Sequence, residues 1–188
     1  MTNEEAAKYI QTYYMKTNVY YHIWAPADTD MWKLMVDEQI KRLYRSGLPE
    51  VATVKCAING PQASRIAEFV SLYDWINILG VRDSDEEYEG FTLKHLYEDC
   101  VNERATKVMY FHTKGISHMC GTRDHYSDRK VRAINSWRHL MEWGCIDKWK
   151  ENLDKLDEHQ VSGVNYCLDP WPHMSGNFWW ARADYIAT

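Results

Sequence analysis

Short β-rich runs alternate with helical stretches along almost the whole chain, and no other feature limits its fold as tightly. NVYYHIWA (18–25) stops at Pro26, EVATVKCAING (50–60) ends in Asn59-Gly60, and WINILGV (75–81) and KVMYFH (107–112) run into polar residues. Valine, isoleucine and aromatic side chains suit a pleated, buried surface, so each run predicts a strand. Residues 28–47 carry Met31, Leu34, Met35, Ile40 and Leu43 at helical spacing, from an Asp/Thr cap to Gly47. PQASRIAEFVSLYD predicts a helix with Pro61 at its first position, and TLKHLYEDCVNERA one capped by Thr92. A polar, irregular stretch is expected over 112–129, then helices over 130–143 and 146–158. VSGVNY (161–166) predicts a fifth strand, and GNFWWARADYI (176–186) a sixth that runs into a helix start. Residues 4–14 predict a polar helix, within an extension over 1–17 that precedes the domain.

Strands alternating with helices bury both faces of one sheet. The expected class is α/β: a three-layer α/β/α sandwich around a central mixed, mainly parallel sheet of about six strands. The chain of 188 residues reads as one domain, and its end just after a helix start suggests a piece of a longer protein. Such sheets bind ligands beyond the carboxyl ends of their strands. The segments 25–26, 59–60, 82–85 and 112–115 are therefore where chemistry is expected.

A net charge of −5 argues against a nucleic-acid binder, which needs a basic surface to release phosphate counterions. The five cysteines are scattered without a CxxC pair, which predicts reduced thiols and a cytoplasmic location. The first 25 residues lack the pattern of a signal peptide, and no apolar run approaches the ~20 residues that span a bilayer. Nine Trp and thirteen Tyr fit a packed core or a stacking site for sugars and bases.

His112-Thr113-Lys114-Gly115 follows the most strand-like run. Lys114 there is placed to neutralise a phosphate, with Thr113 and the Gly115 N–H adding hydrogen bonds. The flanking pattern of a Walker A loop is missing. Asp83-Ser84-Asp85 spells a DxD, and carboxylates are the right hard ligands for Mg2+ or Mn2+. It sits in the acidic run DSDEEYEG, so a solvated loop is the favoured reading. His112, His118, Cys120 and His125 match no structural zinc spacing. Arg138 meets a phosphate or pairs with Glu142 four residues on. Asp169-Pro170-Trp171-Pro172-His173 is stiffened by two prolines and is either a pocket wall or a plain connection.

KVMYFHTKG, INSWRHLMEWGCI, VSGVNY and PHMSGNFWWARADYI, taken together, resemble glycosyltransferase-like domains of bacteria and of large DNA viruses of algae. The resemblance runs from Asn18 to the end and is to the GT-A, or nucleotide-diphospho-sugar transferase, superfamily. It implies transfer of a sugar from a UDP-sugar to a glycan or glycoprotein acceptor, with Mn2+ or Mg2+. Ala25-Pro26 would cradle the uridine, with Asn59 near the base. Thr113, Lys114, Gly115, Arg138, Gly176, Asn177 and Trp179 would complete the donor site. The slot for the metal-binding DxD reads His112-Thr113-Lys114 here. The metal is then held by His112 and His173, or Lys114 replaces it, or a shifted loop brings in Asp83 and Asp85. If the reaction inverts the anomeric centre, Asp169 is the first candidate for the base and Glu142 the second. One of Trp179 and Trp180 is expected in the core and the other against the sugar, because successive strand residues point to opposite faces. Two other classes compete: a non-catalytic nucleotide-sugar or carbohydrate-binding module of the same fold, and a phosphoryl transferase using Lys114.

Overall fold

The computed structural model describes Thr2 and residues 16–27, 29–119 and 128–188; the helix expected over 4–14 lies outside them. The strands are β1 (Thr17–Trp24), β2 (Thr53–Asn59), β3 (Ile76–Arg82), β4 (Lys107–His112), β5 (Val161–Gly163), β6 (Tyr166–Cys167), β7 (His173–Met174) and β8 (Trp179–Arg182). The helices are α1 (Met31–Ser46), α2 (Ala63–Val70), α3 (Gly90–Val101), α4 (Ile116–Met119), α5 (Asp128–Glu142), α6 (Trp149–Lys155) and α7 (Ala183–Ile186). A six-stranded sheet has the order β3-β2-β1-β4-β8-β5, and β6 and β7 form a separate ribbon. β1 to β4 are parallel, whereas β8 is antiparallel to both of its neighbours. This is the expected mixed, mainly parallel three-layer sandwich.

Alternation along β1 divides the core in two. Val19, Tyr21 and Ile23 join the larger cluster, with Met35 and Leu43 of α1, Ile66 of α2, Met141 of α5 and Leu153 of α6. Tyr20 points the other way, into a smaller cluster with Leu96 and Cys100 of α3 and Ala183 of α7. Both faces of the central strands are covered, which explains why the runs read as almost continuously apolar.

Several boundaries moved for identifiable reasons. α2 begins at Ala63, two residues beyond Pro61. Thr92 lies inside α3 rather than capping it, because its hydroxyl is 2.8 Å from His22 Nδ1. The two helices expected over 130–158 are α5 and α6, joined by a π-helical turn, Trp143–Asp147. β5 stops at Gly163, after which Asn165 takes a left-handed φ of 58° and the chain leaves for the β6–β7 ribbon. Among the described residues no helix is long and apolar enough to cross a membrane. Cys56, Cys100, Cys145 and Cys167 are free thiols; Cys120 is outside the described residues.

The two adjacent tryptophans separate as alternation requires. Trp180 is fully buried in the larger cluster and its indole N–H donates to the Cys145 carbonyl at 2.8 Å. Trp179 is half-buried on the other face, stacked on Tyr110 with centroids 5.5 Å apart. On the larger face, Arg138 and Glu142 are buried and paired at 2.7 Å. Glu142 also accepts from Gln39 Nε2 at 2.7 Å and Arg42 Nη1 at 3.1 Å.

Removing Glu142 would leave Arg138 buried with less than its full complement of charge. Glu142→Ala is expected to lower unfolding free energy by ~3–5 kcal/mol, read from urea denaturation; a loss below ~1 kcal/mol would contradict the buried network. Trp180→Ala is expected to cost ~3–5 kcal/mol, and Trp179→Ala clearly less in the same assay. Equal losses would mean that the two faces are misassigned.

Candidate functional site

The sheet changes its winding direction at β1. The chain passes from β1 through β2 to β3 at one edge, then returns to place β4 on the other side of β1. The crevice beyond the carboxyl ends of β1 and β4 is thus the topological switch point, where open α/β sheets bind ligands. Trp24 and His112 end these strands.

The HTKG turn is fastened to that crevice. Thr113 Oγ1 accepts from Trp24 N at 3.1 Å and donates to the Trp24 carbonyl at 2.8 Å. Thr113 N donates to the His22 carbonyl, and Lys114 N to the His112 carbonyl. Gly115 follows with φ 86°, and a Cβ there would lie 2.6 Å from Ile134 Cγ2 of α5. The turn is therefore pinned from both sides, and its glycine is required by backbone conformation and by close approach. Lys114 Nζ lies 5.2 Å from the centre of the Trp137 ring.

Beneath this turn, on the smaller face, is a buried polar cluster. His22 and His112 are register partners on adjacent parallel strands. Glu89, just before α3, accepts from His112 Nδ1 at 2.8 Å, from Tyr110 Oη at 3.0 Å and from Asn177 Nδ2 at 2.5 Å. Burial alone would raise the Glu89 pKa, but the hydrogen bond and charge of His112, then the bonds from Tyr110 and Asn177, pull it down to about 2. Burial, reinforced by the neighbouring His112, pushes the His22 pKa down to about 4. The preceding Tyr88 sets its ring edge-on to His22 and Trp24, each at 5.5 Å, and its carbonyl accepts from Asn59 Nδ2.

A groove of about 530 Å³ opens beside the HTKG turn. Its walls include Lys114, Tyr166, Trp171, His173, Asn177 and Trp179. Asn177 shapes it: φ is 61°, and its Oδ1 accepts from Trp179 Nε1 at 2.8 Å. Gly176 precedes it with φ 93°, close enough to Met141 and Trp137 that a Cβ would overlap the Met141 sulfur. A larger hollow, of about 730 Å³, lies at the opposite ends of the strands, around Lys107, Asp157 and Arg182. Contact with the turn that follows β4, through Lys114, and not volume makes the smaller groove the candidate site.

Residues 20–188 match the family model described as Domain of unknown function (DUF8361). The chain belongs to that family. No curated protein matches it. The DUF8361 match takes in the HTKG turn, the Glu89 cluster and every residue that lines the groove.

Within this DUF8361 domain the structure gathers part of the sequence-nominated set. Lys114, His173, Gly176, Asn177 and Trp179 line the groove, with Thr113 and Gly115 bracketing the lysine. Ala25 is fully buried, and the Pro26 carbonyl accepts from Gln62 Nε2 at 3.0 Å. Asn59 is buried at the end of β2, under Tyr88. Arg138 and Glu142 are inside the larger face, so neither reaches the groove. Asp169 is exposed and precedes Pro170, a groove residue, through a cis peptide bond. Cys120 and His125 lie outside the described residues.

The metal-ligand candidates do not converge. His112 is buried against Glu89, whereas His173 bonds the Trp171 carbonyl in the groove wall. Asp83 accepts from Ser64 Oγ at 3.1 Å, beside the start of α2. Asp85 does reach the crevice, because the loop after β3 crosses back and the carboxylate accepts from Trp24 Nε1 at 2.7 Å. Among the described residues no carboxylate lines the groove. Glu38, His139 and Glu142 do cluster, but Arg138 already pairs with both acids. A hard divalent ion, which needs oxygen ligands, does not fit the described groove.

Glu89 and His22 were missed. Glu89 is one acid among five in DSDEEYEG, with no local signal to mark it. His22 had one: it and His112 each follow directly on an apolar or aromatic run, VYY and VMYF.

The two shifted groups predict two pH windows. From pH 6.5 down to about 4, the unfolded chain takes up the His22 proton while the folded chain does not, so stability falls with pH. From pH 4.5 toward about 2, Glu89 does the same. Each contributes one proton, or at most ~1.4 kcal/mol per pH unit. In urea melts across pH, His22→Gln is expected to flatten the upper window and Glu89→Gln the lower; unchanged slopes would refute the assignments.

Proposed function

We propose that this DUF8361 domain is a glycosyltransferase that moves a sugar from a UDP-sugar to a glycan or glycoprotein acceptor in the cytoplasm. One observation carries the reading: a lysine with no carboxylate partner among the described residues stands on a pinned turn at the switch point and faces a tryptophan-lined groove. The face of an indole stacks on the C–H face of a pyranose, and Trp171 and Trp179 offer two. Lys114 supplies the positive charge that a departing diphosphate requires. The resemblance in KVMYFHTKG and PHMSGNFWWARADYI supplies the choice of donor.

In the transfer, the bond from the donor anomeric carbon to the diphosphate oxygen breaks, and its electron pair leaves with UDP. The acceptor oxygen bonds that carbon and loses its proton. Asp169, exposed at the groove rim, is the proposed base if configuration inverts. Glu142 has no path to the acceptor. The larger-face salt bridges and the Glu89 cluster hold the strand ends in place and take no part in bond making.

Binding without transfer is the second reading, favoured by the lack of any carboxylate along the described groove. Both readings are tested together. UDP, but not GDP or CMP, is expected to raise the melting temperature, and Trp179→Ala to abolish the rise. Incubation with a panel of UDP-sugars and simple glycosides should then release UDP. Binding without release selects the second reading, and no shift with any nucleotide rejects both.

A further inference from the structure

We infer that the groove is an anion site that operates without a divalent cation, with Lys114 meeting the diphosphate directly. The inference deepens the transferase reading and rests on it for the identity of the ligand.

A divalent ion at a diphosphate needs protein oxygen ligands to hold it. Among the described residues Asp169 stands alone at the groove rim, and one carboxylate does not make a divalent site; four other carboxylates near the strand ends are already committed. Glu89 accepts from three donors. Asp85 is bonded to Trp24 and Asp83 to Ser64. Glu142 is sealed behind the sheet with Arg138, Arg42 and Gln39. None of them lines the groove. Lys114 does, and a second cation beside it would be repelled.

The lysine is also held in the way a fixed charge must be. Its backbone is set by the Thr113 clamp and the Gly115 turn, so little reorganisation is needed when an anion arrives. Trp137 attracts the ammonium through its ring face without neutralising it, as a carboxylate would. A lysine acts on phosphate as a point charge with three rotatable donors, so it can serve several diphosphate oxygens.

The test is calorimetry on the full chain after exhaustive treatment with EDTA. UDP and inorganic pyrophosphate are titrated in EDTA and in excess Mn2+. UDP is expected to bind in EDTA, with a Kd changed less than about twofold by Mn2+. Lys114→Met, which keeps the apolar stem on Trp137, should weaken UDP and pyrophosphate in EDTA by about ten- to a hundredfold, and Lys114→Arg should recover most of the loss. UDP binding that requires Mn2+ overturns the inference and leaves the transferase reading standing. So does wild-type affinity in Lys114→Met. Lysine-dependent pyrophosphate binding in EDTA without any UDP binding keeps the anion site and removes the transferase reading. No binding of either probe in either buffer overturns both.

Discussion

The carboxylate of Glu89 is the point to which the candidate site is tied. An ionised carboxylate drawn partly out of water is tolerated only when its oxygens are hydrogen-bonded. Here the donors come from Tyr110 and His112 on β4 and from Asn177 in the turn before β8. Glu89 itself is where the acidic loop turns into α3. Loop, strand end and turn are therefore held by one group, and none moves without leaving part of it unsatisfied. The consequences spread outward. Tyr88, one residue earlier, is set against His22 and Trp24. Asn177 in turn orients the indole of Trp179, which forms part of the groove wall.

The opposite face of the sheet fixes the same strand end independently. Gln39 of α1 donates to the His112 carbonyl and to Glu142, while Tyr21 donates to Gln39. His112 is thus held by its side chain on one face and its main chain on the other. Thr113 then binds both backbone groups of Trp24. Lys114 follows directly after these constraints. Its place in space is set by hydrogen bonds that involve neither the lysine side chain nor any ligand. That arrangement suits the proposed anion site, and it explains why so many polar groups near the crevice are structural.

The layered fold was legible because strand and helix periods differ, and KVMYFH kept its predicted limits. What periodicity cannot carry is strand direction, and the antiparallel β8 between β4 and β5 came only from the structure. Local rules also failed where a distant partner competed. Thr92 has the chemistry of a helix cap, yet its hydroxyl serves His22, 70 residues away in sequence. Arg138 and Glu142 were readable as an i,i+4 pair, but nothing local said that the pair is buried. Asp85 was read first as part of a solvated acidic loop, and β3, which precedes it, is an edge strand. The loop nonetheless carries Asp85 back across β2 to Trp24. Such placements depend on loop path, which has no period to read.

The adjacent tryptophans show how one register converts sequence into a site. Antiparallel pairing sets Trp179 opposite Tyr110 and Trp180 opposite Met109. Because β residues alternate, a slip of one residue would exchange the two indoles and put the groove wall into the core. The register is secured at both faces: Trp180 is bonded to Cys145 within the larger core, and Trp179 stacks on Tyr110 and bonds Asn177. The core indole thereby positions the groove indole beside it in sequence. The pair is therefore one structural unit, with its inner half in the core and its outer half in the groove wall.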